Sequence, residues 1–136
     1  MHKRDYLVKQ FEQFGKVMAV LLGLKRDGNF LDFLSTIHES AKKYTQTEIE
    51  FVESIDDDQL ITILTAEKKL NDEQLKMLAD LIYEKAEYYL HHSLEKEATN
   101  CYKKAYSIYI FLKEHATISY SLDTHYKLEV LNKMKL

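Results

Sequence analysis

Proline is absent from this chain of 136 residues, and glycine occurs only three times. A β-sandwich or barrel needs turn-forming residues every few positions, so this scarcity argues for few, long elements. Cysteine is nearly missing too. Cys101 stands alone, which excludes an intrachain disulfide and a Cys-x-x-Cys zinc pair and fits a reducing compartment. No long apolar run occurs: the longest, Val17 to Leu24, falls far short of the roughly 20 residues that span a bilayer. Charged residues and glutamines precede it and no small-residue cleavage site follows, so it does not read as a signal peptide. The expected location is cytoplasmic, with no membrane partner.

An excess of positive charge is also lacking. The net charge is −3, which gives no electrostatic footprint for nucleic acid. Lys3, Arg4, Lys9, Lys25, Arg26, Lys42 and Lys43 would have to converge on one face to make one. The acids gather between Thr45 and Gln74, nine of them against Lys68 and Lys69. A solvated acidic surface is the expectation there.

Hydrophobic residues make up 46% of the chain and charged residues 30%, the balance of a single globular domain with one modest core. Helical periodicity runs nearly end to end. A first helix is predicted over about 4–23, with Leu7, Phe11, Phe14, Met18, Leu21 and Leu22 at three- and four-residue spacing. From Val17 onward it is apolar all round, which predicts that its second half is central in the core. Gly28 ends it in the left-handed conformation.

A second helix, about 30–44, carries Phe30, Phe33, Leu34, Ile37 and Ala41 on one face. Thr47 is placed to cap a short helix bearing Ile49, Phe51 and Val52. Asp56 with Gln59, and Asn71 with Gln74, read as capping boxes. The helix over 72–91 has Leu75, Leu78, Ala79, Ile82, Ala86 and Tyr89 on one face, opposed by Asp80, Glu84, Glu87 and His91. Ser93 is placed to cap the next helix, to about Glu114, and Ser121 a last one bearing Leu122, Tyr126, Leu128 and Leu131. About seven helices in one domain follow: a hairpin at 4–44, an acidic helical insert at 45–71, a hairpin at 72–114 and a C-terminal helix at 121–135.

The stripe Asp80, Glu84, Glu87, His91 is the most metal-like constellation, but it opposes the apolar face and is expected to be solvated. Carboxylate-bridged bundle sites use Glu-x-x-His, whereas Glu87 and His91 are four apart. His91 and His92 are adjacent and point in different directions on a helix, which suits capping of its C-terminus. Asp56-Asp57-Asp58 lacks the spacing of a calcium loop and reads as a helix start. Cys101 lies on the apolar stripe between Ala98 and Tyr102 and reads as core. No phosphate loop, serine elbow or zinc-protease helix motif occurs. No catalytic residue, metal or cofactor is assigned.

Ala86 and Tyr89 on one helix, then Ala98, Tyr102 and Ala105 on the next, place small and aromatic residues in the register of a tetratricopeptide repeat. Leu24, Gly28, Phe30, Phe33 and Ile37 echo that register upstream, with Phe33 where a small residue belongs and no terminal Pro in either copy. The chain thus resembles tetratricopeptide-type helix-hairpin proteins over about half its length. Its opening, Arg4-Asp5-Tyr6-Leu7-Val8-Lys9-Gln10, looks like that of a small uncharacterised bacterial family with such a body. The resemblance implies an all-α fold of antiparallel helix hairpins with right-handed stacking, and a non-enzymatic protein–protein interaction module.

Two hairpins are fewer than the three or so repeats of a stable solenoid, so self-association as a homodimer is the first expectation for a partner. Tyr106, Ile110 and Phe111 spread around the helix beyond its inner face and are the candidate interaction surface, to be covered by the last helix or by another chain. The alternative is a helical protein binding a small apolar ligand, or an enzyme with an unrecognised site.

Overall fold

The computed structural model describes residues 3–115 and 121–136, without the side chains of Lys3, Arg4 and Leu7, so Leu7's place in the first apolar stripe lies outside the described residues. The fold is all-α, and no strand occurs among the described residues. The elements are α1 (Lys3–Arg26), α2 (Phe30–Thr45), α3 (Ile49–Ser54), α4 (Leu60–Thr62, running into a wider π-type turn over Ile63–Glu67), α5 (Asp72–His91), α6 (Glu95–His115) and α7 (Leu122–Lys133).

The helix ends follow local chemistry. Gly28, at φ +72°, closes α1 in a Schellman motif: its N–H donates to the Lys25 carbonyl and the Asn29 N–H to that of Leu24. Asn29 then caps α2, accepting from the Asp32 N–H. Asn71 and Gln74 form the expected reciprocal capping box on α5. The Ser121 hydroxyl accepts from the Thr124 N–H at the start of α7.

Three expected caps are not made. The Thr47 hydroxyl donates back to the Thr45 carbonyl, and Glu48 precedes α3 without a side-chain cap. Asp56 offers Gln59 only its backbone carbonyl, and α4 begins at Leu60 with no side-chain cap; Asp57 is engaged by Lys104 instead. Ser93 ends α5 rather than starting α6. It sits at φ +60°, its N–H donates to the Leu90 carbonyl and the Leu94 N–H to that of Tyr89, a second Schellman motif with serine where glycine is usual.

The central helix is α5, not the second half of α1. From Met77 to Ala86 every α5 residue is buried, charged ones included. Helix α1 packs on α2 and buries Phe14 and Leu21, while Phe11, Val20 and Leu22 remain exposed although the pattern placed them inward. On α7 the inward residues are Thr124, Leu128 and Leu131; Leu122 and Tyr126 face water, against expectation. The repeat-like positions Ala86, Ala98, Tyr102 and Ala105 are all buried between α5 and α6, and Tyr89 is half-buried. Tyr83 meets Tyr102 edge-on, ring centres 5.6 Å apart.

Candidate functional site

Helix α5 carries three charged side chains into the interior, Asp80, Glu84 and Lys85, and each is met from a different element. Asp80 is 4% exposed. Its Oδ1 accepts from the Tyr109 hydroxyl of α6 at 2.5 Å and from Lys127 of α7 at 3.2 Å, and its Oδ2 from Lys76 at 2.7 Å. Asp123 adds a second carboxylate to Lys76 and Lys127. Burial, then Asp80 beside it, pushes the Tyr109 phenol well above its ordinary range. For Lys127 burial pulls the pKa down, but Asp80 and Asp123 more than offset it and the net direction is up.

One turn on, Glu84 is also buried, and its Oε2 has no hydrogen-bond partner among the described residues. The nearest cation is Lys25 of α1 at 3.7 Å, which bonds Glu87 at 2.6 Å. Burial raises the Glu84 pKa, Lys25 lowers it, and the net direction is up. On another side of α5, Lys85 donates to Glu53 of α3 at 2.5 Å, and the Tyr89 hydroxyl reaches the other Glu53 oxygen at 3.1 Å. Asn100 of α6 donates to the Glu53 carbonyl. Nearby, Lys104 is buried and bonds Asp57 at 2.5 Å and Asn100 at 3.2 Å.

This overturns the solvated reading of the Asp80–Glu84 stripe. The charges are tolerated inside because opposite charge meets them there, supplied by residues 47 positions away in Lys127 and further still in Lys25. The pattern did hold one signal for this: Lys127 sits at an apolar-stripe position, between Thr124 and Leu131. A lysine on an inner face implies a buried acid facing it.

A cavity of about 180 Å³ lies at the end of this ladder, lined by Lys25, Phe30, Phe33, Glu87, Tyr88 and His91. Its aromatic walls are mutually packed: Phe30 lies 5.7 Å from Tyr88 and 5.2 Å from His91, and Phe33 stacks on Tyr88. His92 completes the turn, its Nδ1 against the Tyr88 carbonyl and its ring 4.7 Å from Phe30. The histidine pair thus belongs to an aromatic cluster as well as to the end of α5.

The other sequence candidates fall as follows. Cys101 is buried, and burial pushes its thiol up to about 12, far from a reactive thiolate. Tyr106, Ile110 and Phe111 are half-buried and packed against the core, and Tyr106 lines a groove shared with Leu131 and Leu136. Among the described residues no three His, Cys, Asp or Glu side chains converge as a metal site requires, and no helix is long and apolar enough to cross a membrane. Compared with protein-family models, curated proteins and solved structures, the chain matches none.

Proposed function

We propose that the chain is a non-enzymatic protein–protein interaction module of tetratricopeptide-like type whose first partner is a second copy of itself, working in a bacterial cytoplasm. The observation that supports this reading is the outer face of α1. Val8, Phe11 and Leu22 lie on it, respectively 51%, 40% and 58% exposed, with Gly15 and Ala19 between them. A Cβ built on Gly15 would meet nothing within 4 Å, so the middle of the stripe is open to a close approach. Tyr106, Ile110 and Phe111 already spend part of their surface on the chain's own core, which leaves α1 as the stronger candidate interface.

The stripe complements itself. Two α1 helices running in opposite directions and crossing at Gly15 would set Val8 against Leu22 and Phe11 against Ala19, large facing small at the crossing. Such pairing would cover the open end that two hairpins leave. The lone buried thiol of Cys101 fits a reducing compartment.

Sedimentation velocity from micromolar to millimolar concentration tests this. The expected result is a dimer that dissociates on dilution and is lost in Leu22→Glu, with Tyr106→Glu still dimeric. A monomer at every concentration, or a dimer indifferent to Leu22→Glu, overturns the reading.

A further inference from the structure

The aromatic cavity and the charge ladder meet at Lys25. That lysine answers to two carboxylates: it bonds Glu87 at 2.6 Å and stands 3.7 Å from the buried, unpartnered Oε2 of Glu84. The neighbouring lysines do not make up the difference, because Lys76 and Lys127 are shared between Asp80 and Asp123. The whole network sets four carboxylates against three ammonium groups, and the deficit falls on the Glu84 end. The cavity takes in Lys25 and Glu87 from that end, though not Glu84 itself, and Phe30, Phe33, Tyr88 and His91 form the rest of its lining.

We propose that this cavity binds a small organic cation, an ammonium group carried on an apolar or aromatic body. The ammonium would take Glu87, freeing Lys25 to turn wholly to Glu84, and the body would lie against Phe30, Phe33 and Tyr88. The charge count selects the sign. An anion would bring a third negative group to one lysine, and a neutral molecule would leave Glu84 as it is. Aromatic faces favour cations through their quadrupoles, most where water is excluded. About 180 Å³ suits a single ring with a short chain.

The site lies at the junction of α1, α2 and α5 and does not require self-association, so a monomeric chain would bind equally well. The test is titration of the full chain, at neutral pH and low salt, with 2-phenylethylammonium, 2-phenylethanol and phenylacetate, one body bearing a positive, a neutral and a negative head. Chemical shifts of Phe30, Tyr88 and His91 locate the binding. The cation is expected to bind about tenfold or more tightly than either of the others, a modest electrostatic preference. Glu84→Gln should bring cation and alcohol to near parity, while Thr99→Ala, on the exposed face of α6 and outside the cavity, keeps the preference. Should Glu84→Gln fail to fold, Glu87→Gln, at a more exposed position, is expected to act in the same direction. Equal binding of the alcohol, tighter binding of phenylacetate, or shifts that miss the three rings each overturn the proposal.

Discussion

The Tyr109 hydroxyl donates to Oδ1 of Asp80 at 2.5 Å across the α5–α6 contact, with the tyrosine fully enclosed and the aspartate nearly so. Lys127 reaches the same oxygen from α7, so one carboxylate ties three helices together. Removing the hydroxyl in Tyr109→Phe leaves Asp80 its two lysines and should cost about 1–3 kcal/mol, the range for a buried hydrogen bond to a charged group. Asp80→Ala removes the acceptor of the phenol and leaves both lysines only Asp123, and should cost more, roughly 3–5 kcal/mol. Urea unfolding of the two variants checks the order. Equal costs would mean that the lysines find other partners.

Close approach of α5 and α6 rests on small residues. Ala86 and Ala105 have no exposed surface and Ala98 almost none. Ala105→Leu forces extra methylenes into a packed seam and is expected to destabilise by about 1–3 kcal/mol. The same change at exposed Thr99 of α6 should stay within about 0.5 kcal/mol. Thermal unfolding of the pair checks this, and similar melting points would mean that the seam is loose.

How much of this was legible in the sequence divides along physical lines. Helix content, the Asn71–Gln74 box, the Ser121 cap and the inward Ala86–Ala105 positions depend on residues a few places apart, and local spacing reports them. The burial of Asp80 and Glu84 does not. It depends on Lys25 and Lys127, which periodicity cannot bring to α5. The same gap misplaced the central helix: Val17 to Leu24 looked central because it is apolar on every side, but a helix is buried all round only when others surround it, and α1 packs chiefly on α2. The aromatic cavity was out of reach for that reason too, since Lys25, Phe30 and Tyr88 come from three helices.

Gly28 and Ser93 hold the same left-handed position at the ends of α1 and α5, with only glycine suited to it. Ser93→Gly should therefore stabilise the fold by several tenths to about 1 kcal/mol, and Gly28→Ala should destabilise it by about 1 kcal/mol or slightly more. Denaturant midpoints with unchanged slopes check both. A destabilising Ser93→Gly would show that the serine side chain outweighs its backbone strain.

Glu84 gives the protein a stability that falls as pH rises. Its carboxyl is raised from the usual carboxylate range by burial, against the opposing effect of Lys25 on α1; Glu87 raises it further, Lys127 on α7 lowers it, and Asp80 raises it. The folded state thus holds the Glu84 proton more tightly than the unfolded chain. Its contribution is fully present below the unfolded value and is lost as pH climbs through the folded one. Glutamine copies the protonated form in shape and cannot ionise. Glu84→Gln should match the wild type at acid pH and melt a few degrees higher once the pH has passed the folded value, because it escapes the cost of charging a buried group. The difference in melting temperature across pH then reports Glu84 together with the groups coupled to it, Lys25 and Tyr83 among them. A wild type that gains on the variant as pH rises would mean that the Lys25 ion pair, rather than burial, decides the state of Glu84.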